Sequence, residues 1–160
     1  MKLLVATTNI GKKNEFSSLF SHTDFELVFP NDLGLHFDVE ENGSSYSENA
    51  QIKAETLLRH SGLITLADDT GLEVDALDGR PGLHSARYAA IPGATDVDRR
   101  AKLLSELNDK PSPWRARFFC AVALARPNQP IEYFTGEVKG EIINQERGEN
   151  GFGYDKLFWI

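Results

Sequence analysis

The chain has 160 residues, of which 41% are hydrophobic, with a formal net charge of −7 and a single cysteine. That length suits one globular domain with a sizeable core. One cysteine excludes an internal disulfide, and the negative balance argues against nucleic acid polymers and anionic membranes as partners.

The opening MKLLVATTNIGKK has neither a long apolar run nor a small-residue cleavage pattern, so a cytoplasmic protein without signal peptide or membrane span is expected. Residues 2–8 (KLLVATT) read as a buried first strand. Asn9-Ile10-Gly11 then turns the chain into a helix over 12–22, with Phe16, Leu19 and Phe20 at helical spacing. Residues 25–29 read as a short second strand, and 31–42 as polar and irregular. Ser45 and Glu48 form a capping box for a helix over 46–60. Its apolar face is Tyr46, Ala50, Ala54, Leu57 and Leu58, and Gly62 is its stop. Residues 63–71, LITLADDTG, read as a buried strand closing on Asp68 and Asp69. The alternation over Leu72–Leu77 reads as a further, half-exposed strand. Gly79-Arg80-Pro81-Gly82 is a turn, and Thr95 opens a helix through Leu107. Two longer strands, 115–126 and 131–139, are joined by a hairpin at 127–130. A Gly-rich loop over 148–153 leads into the apolar tail LFWI. Helices interleaved with strands early and a hairpin late predict an α/β fold, a mixed twisted sheet flanked by helices.

Ligands of such sheets gather beyond the carboxyl ends of strands. Thr7-Thr8-Asn9-Ile10-Gly11-Lys12 has the makings of a phosphate-binding turn, because Gly11 lets the backbone come close, the helix start presents free N–H groups and Lys12 adds charge. The same residues also suit an ordinary capped turn. Two acids closing a hydrophobic run are costly unless a cation or donors meet them. Neighbouring strand residues point to opposite faces, so one of Asp68 and Asp69 binds a metal or activates water while the other caps the turn. Alternatively, both simply open a turn by bonding backbone amides. Glu41, before the capped helix, and Lys53, one turn after Asn49, supply an acid for a hard divalent ion and an ammonium for phosphate. Taken singly, they read as a loop acid and a surface lysine. Cys120 lies in RFFCAVALA and reads as a buried, inert thiol, and His22, His36, His60 and His84 show no metal-ligand spacing.

Six stretches, in order along the chain, resemble the Ham1/inosine triphosphatase family. They are ATTNIGK (6–12), Glu41-Asn42-Gly43, Glu48-Asn49-Ala50 with Lys53-Ala54, ADDTGL (67–72), Pro81-Gly82 with Ser85-Ala86-Arg87-Tyr88, and GFGYD (151–155). The resemblance implies an elongated two-lobed α/β fold with a central nucleotide cleft, assembled as a homodimer. It also implies Mg2+-dependent hydrolysis of ITP, dITP and XTP to monophosphate and pyrophosphate, which clears deaminated purines from the nucleotide pool. Carried over, Thr7, Thr8, Asn9, Ile10, Gly11 and Lys12 would cradle the triphosphate, with Lys53 as a second positive contact. Glu41 and Asp69 would hold Mg2+, and Asp69 would also accept the proton of the attacking water with Asp68 in support. Thr70, Phe152, Gly153, Tyr154 and Asp155 would bind the nucleotide, Phe152 stacking on the base. Two departures stand out. Lys156 occupies a position where the family usually has proline, and the sequence ends at Ile160, before a family segment whose Ser-His-Arg motif contacts the purine. The expectation is a single nucleotide pyrophosphatase domain over 1–160, shortened at its C-terminus. A nucleotide-binding relative with impaired catalysis is the alternative.

Overall fold

Strand β1 (Lys2–Val5) is followed by α1 (Ile10–Leu19), β2 (Glu26–Val28), α2 (Tyr46–Ser61), β3 (Thr65–Val74), α3 (Asp96–Leu107), β4 (Trp114–Ala125), β5 (Glu132–Ile142) and β6 (Phe158–Trp159) in a computed structural model that describes residues 1–35 and 39–160. The strands form one sheet in the order β2-β1-β3-β4-β5-β6. β1 runs parallel to both β2 and β3, and β6 runs antiparallel to β5, so the sheet is mixed as expected. Among the described residues no helix is long and apolar enough to cross a membrane. The middle of the irregular stretch predicted at 31–42, with His36, lies outside the described residues, and its start is a short 3-10 helix, Pro30–Leu33.

The centre of the chain departs most from the sequence reading. Residues 63–71 and 72–77 are not two strands separated by a turn: β3 is one ten-residue strand, and Asp68 and Asp69 sit in its middle. Turn-forming residue types lose here to burial and backbone pairing, since Ala67, Asp68, Asp69, Gly71 and Leu72 are all buried. The amide of Leu72 donates to Ser85 Oγ at 2.9 Å, and the first turn comes only with the 3-10 helix Asp75–Leu77.

The chain divides into two compact units, Met1–Asp69 with Ala121–Thr135, and Thr70–Cys120 with Gly136–Ile160. The first unit has a small-residue core. Ala50 and Ala54 of α2 are fully buried in one cluster with Ala67 of β3 and Ala123 of β4. Alanine facing alanine lets a helix lie close to a sheet, and it is this closeness that brings polar side chains of α2 within reach of β3. The second unit has a larger-residue core, in which Leu103 and Leu107 of α3 pack with Leu72, Val74, Tyr154 and Leu157.

Helix α2 begins as its sequence predicts, with Ser45 Oγ accepting from the Glu48 amide at 3.2 Å and Gly62 closing it at φ 70°. The return arm of the capping box is displaced by one residue. Glu48 accepts from both the amide and the hydroxyl of Ser44, each at 2.7 Å, rather than from the Ser45 amide. Replacing Ser45 by alanine removes one acceptor at the helix start and is expected to cost about 1 kcal/mol. A urea midpoint unchanged from wild type would show that Ser44 and Glu48 alone hold this end.

Three further corrections concern a strand end and two exposures. β1 stops at Val5 instead of running to Thr8. Helix α1 occupies 10–19 rather than 12–22 and buries no residue, with Leu19 74% exposed, so the spacing of Phe16, Leu19 and Phe20 does not mark a core face. Cys120 is half-buried rather than buried. At the other end Leu157 is fully buried and Phe158–Trp159 add a strand to the sheet, so only Trp159 and Ile160 of the apolar tail stand in solvent.

Candidate active site

The first unit gathers five of the residues singled out by sequence: Lys12, Glu41, Lys53, Asp68 and Asp69. Lys12, from the first turn of α1, pairs with Asp68 Oδ2 at 2.5 Å, its side chain 18% exposed against 7% for the aspartate. Lys53, from α2, donates to the backbone carbonyl of Asp68 at 2.6 Å and pairs with Glu41 Oε1 at 3.0 Å. Asp69 takes a different partner: Asn49 Nδ2 donates to its Oδ2 at 2.9 Å. The two aspartates thus engage separate groups, as alternation along a strand requires.

Burial raises the Asp69 carboxyl above its ordinary value, and the charge of Glu41 pushes the same way, while the Asn49 hydrogen bond and the charges of Lys53 and Lys12 pull it down. A carboxylate that is 7% exposed with an elevated proton affinity is a candidate proton acceptor.

Asn49 is the residue that sequence reasoning passed over as a functional side chain. It is 2% exposed, and its Oδ1 accepts from the Gly43 amide at 2.9 Å while its amide holds Asp69, so one side chain ties the loop before α2 to the acid on β3. Gly43 makes room for it, since a Cβ there would lie 2.7 Å from Asn49 Oδ1. The sequence did carry a signal: asparagine is a poor interior helix residue, and here it stands directly before Ala50 on a helix face that reads as apolar.

The turn ahead of α1 is ordered by its own side chains. Thr7 Oγ1 accepts from the Asn9 amide at 3.2 Å, and Asn9 Oδ1 accepts from the Lys12 amide at 3.3 Å, so Asn9 is the helix cap. Thr8 and Ile10 are exposed and Gly11 is half-buried.

Thr70 and the 152–155 stretch belong to the second unit. Thr70 and Phe152 are half-buried. Tyr154 is 3% exposed, its hydroxyl donates to the Ser85 carbonyl at 2.9 Å, and burial pushes its pKa up, so its ring and hydroxyl are core groups. Asp155 accepts from the Phe152 amide at 2.9 Å, and burial raises its carboxyl too.

Among the described residues no three His, Cys, Asp or Glu side chains form a ready-made metal cage. A Mg2+ site does not need one, because that ion takes one or two carboxylates and completes its shell with phosphate oxygens and water. Glu41 and Asp69 are hard oxygen donors, and the charge of the first already raises the proton affinity of the second, so a cation would relieve both. The donor chemistry fits Mg2+.

The sequence pattern of the Ham1 family matches residues 3–160. A dITP/XTP pyrophosphatase of Listeria monocytogenes serotype 4b is 43% identical over 160 residues, covering 99% of this chain and 78% of that protein. Among solved structures, the Staphylococcus aureus Ham1 protein superposes with a TM-score of 0.84 at 39% identity, over 100% of this chain and 81% of that one. A HAM1 protein from Coxiella burnetii gives 0.86 at 35% identity, over 100% and 82%.

Proposed function

Since this chain belongs to the Ham1 family, we propose that it is a nucleoside triphosphate pyrophosphatase that hydrolyses ITP, dITP and XTP to the monophosphate and pyrophosphate. The observation that carries the mechanism is the buried Asp69 carboxylate, held by Asn49 and with raised proton affinity, within the electrostatic influence of Lys53 and Lys12, whose ammonium groups pair with Glu41 and Asp68.

Hydrolysis of the α–β anhydride asks the protein for in-line positioning, charge neutralisation and removal of one proton from water. In this reading the turn Thr7–Lys12 receives the triphosphate at the N-terminus of α1, with Thr8, Ile10 and Gly11 offering backbone and Lys12 its charge. Lys53 gives a second positive contact. Asp69 accepts the water proton, Asn49 fixes the carboxylate, and Asp68 holds Lys12. Glu41 and Asp69 would hold Mg2+, which when bound supplies charge neutralisation on phosphate oxygens and lowers the pKa of a bound water. Thr70 and the stretch Phe152, Gly153, Tyr154 and Asp155 receive the nucleoside, with Phe152 stacking on the base and Tyr154 contributing through its fixed place in the core. We further read 1–160 as one functional domain of a cytoplasmic homodimer.

The test is pyrophosphate release from dITP, ITP and XTP against GTP with Mg2+. Production of pyrophosphate from the deaminated nucleotides in preference to GTP is expected. Nucleotide binding without product would favour a binder and sink the reading.

A further inference from the structure

Helix α3 takes both polar backbone atoms of Gly153. The Gly153 amide donates to Asp96 Oδ2 at 2.8 Å, and its carbonyl accepts from Arg100 Nη1 at 2.8 Å, one turn further along the helix. Arg100 is only 5% exposed, and the rest of its guanidinium grips Glu146 as a fork, Nε to Oε1 at 2.7 Å and Nη2 to Oε2 at 3.2 Å. One side chain therefore fastens both ends of the stretch 146–153. A guanidinium this deep is costly unless its arms are met, and here the loop meets them.

Asp96 is not needed to start α3. Thr95 and Asp98 form the capping box there, and Arg99 engages the other Asp96 oxygen. Burial on its own would raise the Asp96 carboxyl, but the Arg99 and Gly153 hydrogen bonds and the neighbouring charges outweigh it and hold the group below the usual value, so it meets the loop ionised.

The stretch itself has little freedom left. Gly151 and Gly153 lie at φ 85° and 60°, in the left-handed region that side chains disfavour, and a Cβ on Gly151 would run into the Asp155 carboxylate. Asp155 holds the Phe152 amide, and Tyr154 is anchored on Ser85. The backbone at Phe152 and Gly153 is thus tied to Asp155 and to α3, while Phe152 itself is half-buried. A loop held in one shape before ligand arrives need not be ordered on binding.

We propose that Asp96 and Arg100 are positioning residues that hold the Phe152–Tyr154 stretch in the shape that receives the purine base. This deepens, and rests on, the reading of Phe152 as the stacking residue.

The test compares kcat and KM on dITP with Mg2+ for wild type, Asp96→Ala, Asp96→Asn, Arg100→Lys and Phe152→Ala. Losing one charge-assisted hydrogen bond to the loop should raise KM about tenfold in Asp96→Ala, with kcat within about threefold of wild type. Asp96→Asn keeps an oxygen for the Gly153 amide but not the charge. Its KM should return close to wild type, which a contribution to helix stability through charge would not do. Arg100→Lys keeps the charge but loses the fork, and its KM should rise with Asp96→Ala. Hydrogen exchange at the Gly153 amide is a second readout, faster in Asp96→Ala and restored in Asp96→Asn. Wild-type KM and wild-type exchange in Asp96→Ala overturn the proposal. If Phe152→Ala raises KM and Asp96→Ala does not, positioning alone fails. An unchanged KM in Phe152→Ala fells the stacking reading and the proposal with it.

Discussion

Asp69→Asn is expected to lower turnover on dITP by a factor of about 100 or more, the usual range for losing a general base, without weakening the fold. The substitution is nearly isosteric, and an amide oxygen still accepts from Asn49, which now donates to Asp69 Oδ2 at 2.9 Å. The stability side has a definite sign. Burial raises the carboxyl of Asp69 in the folded chain above its ordinary 3.8, so the native state binds the proton more tightly than the unfolded one. Ionisation therefore withdraws stability as the pH climbs from the unfolded value through the folded one, and at neutral pH the metal-free protein carries that cost. Asparagine removes it. Thermal melting of metal-free protein at pH 7 should show Tm equal to or above wild type, alongside the loss of pyrophosphate release. Retained turnover would remove Asp69 from the proton-transfer role. Lost turnover with a collapsed Tm would make its role structural.

Lys53→Met is expected to be the second most damaging change, again lowering turnover by roughly 100-fold or more, the scale of losing one preorganised positive donor. Methionine keeps the length and apolar stem of the side chain, so packing along α2 changes little. What goes is a charge that pairs with Glu41 Oε1 at 3.0 Å and a donor to the Asp68 carbonyl at 2.6 Å. The Lys53 side chain is 12% exposed, and the carbonyl it serves is left without that donor, so a loss of about 1–3 kcal/mol in a urea titration accompanies the kinetic defect. Lys53→Arg keeps the charge in a different shape and should recover part of both losses. If Lys53→Met raises KM and leaves kcat intact, the lysine holds the ground state and the transition state equally and contributes uniform binding rather than acceleration of the chemical step.

Both predictions rest on residues visible in the sequence, but the geometry connecting them was not. The caps of α2 and α3 could be read directly, because Ser45, Gly62, Thr95 and Asp98 act through bonds to residues one turn away. β3 could not. Asp-Asp-Thr-Gly has the composition of a turn, and what keeps it extended comes from afar, as with Ser85 Oγ on the Leu72 amide. The same limit explains Asn49, whose importance lies in a partner twenty residues on. For α1 the error ran the other way: Phe16, Leu19 and Phe20 have the spacing of a buried face, yet no residue of that helix is buried. Spacing reports which side chains share a side, not whether anything covers it.

The pairing of Lys12 with Asp68 and of Lys53 with Glu41 has a consequence for how anions enter. Neither ammonium waits open for a phosphate. Each is already matched with a carboxylate of the same chain, and a tethered partner competes at an effective concentration in the millimolar range or above. If Lys12 and Lys53 receive the triphosphate as proposed, its entry is an exchange of partners, in which several oxygens arriving together displace acids that a single small anion cannot. Chloride or sulfate at ordinary buffer concentrations should therefore inhibit weakly, while inorganic triphosphate, bringing the whole row of oxygens, competes well.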